Sequence, residues 1–183
     1  MGDSMTLYTK HPNIRTLILL FTYYVLLALT QTTSAQDVSL ATLRIPLLAQ
    51  ESDIVLAPVV YPTWDVSHLG ERIGYLEMTA WFGQGGNTVL AGHATTPDLI
   101  PSTWYNLEMM EAGDAISVVA DNIEYQYAVA GIYRVADTDI SLVLPMNEER
   151  LTLMTCDVSS WNGVTFTRRI IVVALPTVRI PLN

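Results

Sequence analysis

Residues 115–135 read AISVVA DN IEYQYAVAGIYRV. Two runs rich in Val, Ile and Tyr flank Asp121-Asn122, and Tyr125, Tyr127 and Val129 alternate along the second run. A period of two with β-branched and aromatic residues predicts strands, and an Asp-Asn pair between them predicts a tight hairpin, although without the favoured glycine. Working outward, residues 111–114 (Glu-Ala-Gly-Asp) form a turn, and residues 104–110 (WYNLEMM) read as one or two helical turns. Downstream, residues 151–155 (LTLMT) form a strand ending at Cys156, residues 157–163 a loop, and residues 168–175 (RRIIVVAL) a last long strand. Upstream, residues 88–93 (TVLAGH) form a buried-type strand after the GQGGN turn, and residues 67–69 start a short helical turn. Residues 44–48 and 54–60 are strands beside prolines, hence edge or terminal ones. Many short strands, few helices and no internal repeat predict a mainly β fold: a single closed or nearly closed β-barrel with short helices.

The N-terminus has a different character. Lys10 and Arg15 precede the uncharged apolar residues 16–29 (TLILLFTYYVLLAL), and polar residues follow. Basic residues before such a run, and none soon after, predict a cytoplasmic N-terminus and an exported remainder. The expected organisation is a cytoplasmic stretch 1–15, a signal-anchor transmembrane segment 16–30, a linker 31–42 and a folded domain 43–183. Thr33-Ser34-Ala35 would also pass as a cleavage site. Of the net charge of −9, residues 1–35 carry +1 and the rest −10. So acidic a domain repels phosphate backbones, which argues against a nucleic-acid partner.

The 183 residues contain one cysteine and three histidines. A single thiol closes no internal disulfide, and most lone cysteines are small buried hydrophobes. In an exported domain, however, an unpaired thiol invites oxidation, which favours a chemical reason for keeping it. Cys156 and His93 each end a buried strand, where side chains leave the core and reach a cleft. A thiol and an imidazole brought together there could form a nucleophile and its acid/base partner. Arg168 and Arg169 open the last strand, and alternation lets only one of them face such a site. A guanidinium there would stabilise a thiolate and an oxyanion. The scattered histidines and single cysteine lack zinc-ligand spacing, no calcium ligand set is legible, and no phosphate-binding glycine loop is present, so no metal or cofactor is expected.

Together these segments resemble the sortase family, with a class D/E-like character. Residues 152–156 (TLMTC) are similar to the TLxTC signature, residues 86–93 (GNTVLAGH) to the strand that delivers the sortase histidine, and residues 169–174 (RIIVVA) to its arginine strand. Asn106-Leu107 with Gly113-Asp114, Arg44-Ile45-Pro46 and Ile73-Gly74-Tyr75 fit as well, so the resemblance covers residues 43–175. It implies an eight-stranded sortase-type barrel, preceded by the N-terminal membrane segment, and a single-pass membrane enzyme with an extracytoplasmic catalytic domain. It also implies a cysteine transpeptidase that cleaves an LPxTG-like motif through a thioester acyl-enzyme. Its partners would be surface proteins carrying a C-terminal sorting motif and an amine acceptor, either a cell-wall peptide or a pilin lysine. The implied catalytic residues are His93, Cys156 and Arg169, with Thr155 contributing to the oxyanion and substrate site. Arg169 is preferred to Arg168 because it keeps the family's spacing from arginine to alanine. The alternatives are an exported cysteine hydrolase and a non-catalytic barrel that serves as a binding module.

Overall fold

The computed structural model describes residues 38–183. The expected cytoplasmic stretch, the signal anchor and the linker up to residue 37 lie outside the described residues.

The 115–135 hairpin is present. Strand β7 (Ala115–Ala120) pairs with β8 (Ile123–Ala136) from Ala120 opposite Ile123 to Ala115 opposite Ala128. Asp121 and Asn122 sit at φ 51° and 59°, so both central residues are left-handed. That is what a two-residue turn matching the strand twist demands, and short polar side chains tolerate it without glycine.

Around the hairpin the chain closes a barrel. Its other strands are β1 (Ala41–Ile45), β2 (Gln50–Ala57), β5 (Ile73–Leu76), β6 (Asn87–Ala91), β9 (Arg150–Cys156) and β10 (Arg168–Pro181). They run in the spatial order β1-β2-β5-β6-β9-β10-β8-β7, with β7 returning to β1. The pairs β2–β5 and β6–β9 are parallel and the others antiparallel. Inward-facing Leu43, Ile54, Leu90, Ile116, Leu153 and Val172 fill the interior with Trp104 and Leu107, all fully buried. A second apolar cluster lies on the outer face: Ala57, Leu76, Val89, Ala91 and Val143, with Trp64, Val66 and Met154 packed against them. Both faces of β6 and β9 are therefore covered, which is why residues 89–91 read as an unbroken apolar run.

The boundaries differ from expectation where proline and chain length intervene. β1 starts at Ala41, two residues inside the expected linker, and stops at Ile45 because Pro46 opens a 3₁₀ turn, Pro46–Leu48. The strand expected over 54–60 is cut at Pro58, which has no N–H for the ladder. β2 ends at Ala57, and Val59–Val60 instead forms β3, paired with β4 (Thr63–Trp64) in a small separate hairpin. The helical turns expected over 104–110 shrink to one 3₁₀ turn, Leu107–Met109, and residues 67–69 form turns only, whereas the loop expected over 157–163 contains a 3₁₀ turn, Val158–Ser160. Segments this short cannot offset the cost of nucleating an α-helix. β10 runs six residues beyond Leu175, the end of the apolar run, because its exposed second half still pairs with β8.

Candidate active site

β9 lies between β6 and β10, and this fixes the site. The parallel register sets Ala91 opposite Met154, with the Gly92 N–H donating to the Met154 carbonyl at 3.1 Å. Two residues further along each chain come His93 and Cys156. On the other side, the antiparallel register sets Cys156 opposite Arg169. Histidine, cysteine and arginine thus form one row across three neighbouring strands, whose spacing is about 4.8 Å.

Alternation decides which way the row faces. Leu90, Leu151, Leu153, Val172 and Ala174 point into the barrel, whereas Val89, Ala91 and Met154 belong to the outer cluster. Cys156 follows Met154 by two, and Arg169 precedes Ile171 by two, so both share the outer face. His93, Cys156 and Arg169 line the same cavity of about 290 Å³ there, with Thr155, Asp137 and Asp139. A second cavity, of about 500 Å³, is also lined by His93 and Cys156, together with Glu71, Leu99, Trp161 and Phe166. The two cavities share those two side chains, and Arg169 lines only the smaller.

Arg168, one residue earlier, is engaged elsewhere. Its Nε donates to Asp157 Oδ2 at 2.8 Å and its Nη2 to Ser159 Oγ at 3.0 Å. Asp157 itself is buried at 1% side-chain exposure and also accepts from the N–H and hydroxyl of Ser159. Burial pushes the Asp157 carboxyl up, but the bonds from Ser159 and the Arg168 charge outweigh it and hold the group below the usual carboxylate value. Arg169 uses Nη1 to donate to the Phe166 carbonyl at 2.8 Å, which leaves its other N–H groups for a ligand.

His93 is oriented from above. Its Nε2 lies 3.0 Å from the Val66 carbonyl. A carbonyl can only accept, so Nε2 carries the hydrogen, and Nδ1 is the nitrogen left for proton exchange. The Val66 segment is itself tied down: Asp65 accepts from the Ser67 N–H and hydroxyl, His68 Nε2 bonds the Leu56 carbonyl, and Arg72 Nη2 donates to the His68 carbonyl. Burial pushes the Cys156 thiol up, the Arg169 charge pulls it down and Asp137 pushes it up again; the balance is a raised value. The thiol is therefore protonated at neutral pH, and a proton acceptor beside it matters.

Thr155 is buried, and its hydroxyl donates to the Gly92 carbonyl at 2.8 Å. Its single donor proton is thus committed to fixing the chain next to His93. Gly92 is required sterically: a Cβ there would lie 2.7 Å from Cε3 of the fully buried Trp104. Asn87 donates from Nδ2 to the carbonyls of Leu142 and Leu144 and accepts from the Thr152 hydroxyl. It pins the 137–149 loop that walls the smaller cavity. Sequence reasoning missed this anchoring role, and it missed Val66 and Glu71, which sit in polar stretches without a pattern. Among the described residues no cluster of three or more His, Cys, Asp or Glu could hold a metal ion.

No curated protein matches. Among solved structures, sortase A from Listeria monocytogenes is 19% identical with a TM-score of 0.65, over 80% of this chain and 92% of that one. A Clostridium perfringens sortase D5 transpeptidase is 22% identical with a TM-score of 0.63, over 76% and 79%. Sortase E from Streptomyces avermitilis is 22% identical with a TM-score of 0.62, over 78% and 90%. At these identities the likeness is one of fold. The sortase domain model, however, matches residues 43–177, most of the chain. The chain therefore belongs to the sortase family, the cysteine transpeptidases.

Proposed function

We propose that this enzyme cleaves an LPxTG-like sorting motif at the cell surface and transfers the acyl fragment to an amine, with Cys156 as nucleophile, His93 as acid/base and Arg169 as oxyanion donor. The observation that carries the reading is the row across β6, β9 and β10, with its three side chains on one cavity. The Cys156 sulfur attacks the scissile carbonyl carbon while its proton passes to Nδ1 of His93. The carbonyl oxygen becomes an oxyanion that accepts from Arg169, a donor typically worth about 3 kcal/mol of barrier. The carbon–nitrogen bond breaks, His93 returns the proton to the leaving amine, and a thioester remains on Cys156. The incoming amine then reverses these roles: it gives a proton to His93, attacks the thioester carbonyl and releases the sulfur. Thr155 acts as a positioning residue through Gly92. The sorting-motif proteins and amine acceptors of this reaction lie outside the cytoplasm, so the reading includes an N-terminal membrane anchor that holds the domain there.

Mass spectrometry of the full chain in detergent tests this. The protein is incubated with LPxTG-like and LAxTG-like peptides, with and without a glycine-type amine, beside Cys156→Ala. The expected result is an acyl adduct on Cys156 that the amine converts to ligated peptide and that the variant never forms. An adduct resolved only by water would mean a hydrolase, and no adduct with an inert thiol would mean a binding module.

A further inference from the structure

The two cavities that share His93 and Cys156 differ in charge. The smaller contains Asp137 and Asp139, but Arg169 lines it too, and Asp139 Oδ1 already accepts from the Ser141 N–H at 2.9 Å. Among the described residues no arginine or lysine lines the larger. Among the described residues that line it, Glu71 is the only carboxylate. The larger cavity's remaining surface is mainly small or apolar, with Leu99, Trp161 and Phe166 prominent, and the two aromatic rings pack at a 51° tilt with centroids 4.8 Å apart. Its wall is held in place: the Glu71 carbonyl accepts from the Thr103 hydroxyl at 2.6 Å, and Thr95 bridges Pro101 across the facing loop.

Resting on the transpeptidase reading above, we infer that the larger cavity is the acceptor subsite and that Glu71 binds the ammonium of the incoming amine. The argument runs through Arg169. An oxyanion accepting from Arg169 puts the acyl fragment in the smaller cavity. The second nucleophile must reach the thioester carbonyl from the free side of Cys156, and the larger cavity opens there. A primary amine arrives at neutral pH as an ammonium. An uncompensated carboxylate beside an apolar surface attracts that cation and leaves its alkyl or peptide chain to pack on the aromatic rings. Glu71 concentrates the cation. One proton then passes to His93, the neutral nitrogen attacks the thioester carbon, the carbon–sulfur bond breaks, and the second nitrogen-bound proton leaves to solvent. The chemistry fits a primary ammonium from either a peptide N-terminus or a lysine side chain.

The test is ligation by the full chain in detergent. An LPxTG-like donor peptide is held fixed, and the acceptor is varied in separate arms of triglycine, Nα-acetyl-lysinamide and hydroxylamine, which is uncharged near neutral pH. Glu71→Gln should raise KM for an ammonium acceptor about five-fold, the size expected of an exposed charge pair, and should act on KM rather than kcat. Glu71→Lys should raise it further and divert the acyl-enzyme to hydrolysis. Hydroxylamine should respond equally in all three proteins. A shift in one ammonium arm alone would identify that amine source as the acceptor. An unchanged KM in both ammonium arms, or an equal rise with hydroxylamine, would overturn the assignment while leaving the acyl-enzyme chemistry intact. Failure to form any acyl adduct would remove the transpeptidase reading and this assignment together.

Discussion

Cys156 is half-buried, and its thiol is raised by that burial more than Arg169 lowers it. Because the thiolate is the reactive form, its fraction should climb throughout the neutral and mildly alkaline range. Alkylation of Cys156 by iodoacetamide is therefore expected to accelerate about ten-fold per pH unit from near pH 7 to near pH 9, without a plateau. Arg169→Ala removes the lowering charge, so its alkylation at fixed pH should be slower than that of the parent protein. Its ligation rate should fall by a factor on the order of 10² to 10³, the cost of losing one oxyanion donor. A plateau already at neutral pH would mean that the thiol is acidic and this electrostatic picture is wrong. Thr155 gives a second expectation. Thr155→Val keeps the shape but orphans the Gly92 carbonyl, which should cost about 1–3 kcal/mol of stability in urea titrations. Thr155→Ser should restore both stability and ligation, whereas a merely space-filling role would give the opposite ranking. That Cys156 and His93 would meet at one cavity was legible from strand ends in the sequence. That the Thr155 hydroxyl is spent on Gly92 was not, because the partner is 63 residues away.

At the scale of elements, the hairpin was legible because its determinants are local: alternation within 123–135 and two residues able to take positive φ. Its turn carries a prediction. Asn122 at φ 59° should tolerate Gly and resist Ala, so Asn122→Ala should lose about 1 kcal/mol and Asn122→Gly should be neutral or better, as read by denaturant midpoints. The parallel pairing of β6 with β9 was not legible, since no sequence-local signal joins strands about 60 residues apart. Yet that pairing is what sets His93 level with Cys156. The motif glycine before the histidine has a cause in the same place. Trp104 is fully buried against Gly92 and has nowhere to retreat. Gly92→Ala should therefore cost about 1–3 kcal/mol, as other overpacking does, and should lower ligation more than thiol alkylation because it moves the histidine rather than the cysteine. Equal loss of both readouts would indicate general unfolding. The prolines at 46 and 58 ended strands that hydrophobic pattern alone extended, and the exposed half of β10 escaped notice because pairing, not burial, sustains it.

Over the whole molecule, the barrel closes through β10, and the junction where β9 hands the chain toward β10 is clamped by Asp157. Its carboxylate takes Arg168 and Ser159 at the mouth of the barrel, its N–H donates to the Arg168 carbonyl at 3.0 Å, and the Arg134 Nε lies 3.9 Å away. The folded-state value of this carboxyl lies below its ordinary one, so it contributes stability that is fully present above about pH 4 and is lost as pH falls through the depressed folded value. Asp65 and Asp139 are also held low by bonds from Ser67 and Ser141, but on exposed loops where solvent screens the effect. Acidification has a second, opposing action: protonating carboxylates relieves the self-repulsion of a chain carrying −9. A bare melting curve against pH mixes the two. The difference between the parent and Asp157→Asn does not, because the substitution leaves the other acidic groups in place and deletes only the clamp's titration. The parent should be the more stable near pH 7, where the variant leaves Arg168 without its anion. The gap in melting temperature should hold down to about pH 4 and narrow below it as Asp157 protonates. A gap independent of pH down to pH 2 would mean that the clamp works through hydrogen bonds alone, and the charge on Asp157 would then have no part in holding the barrel's last strand beside Cys156.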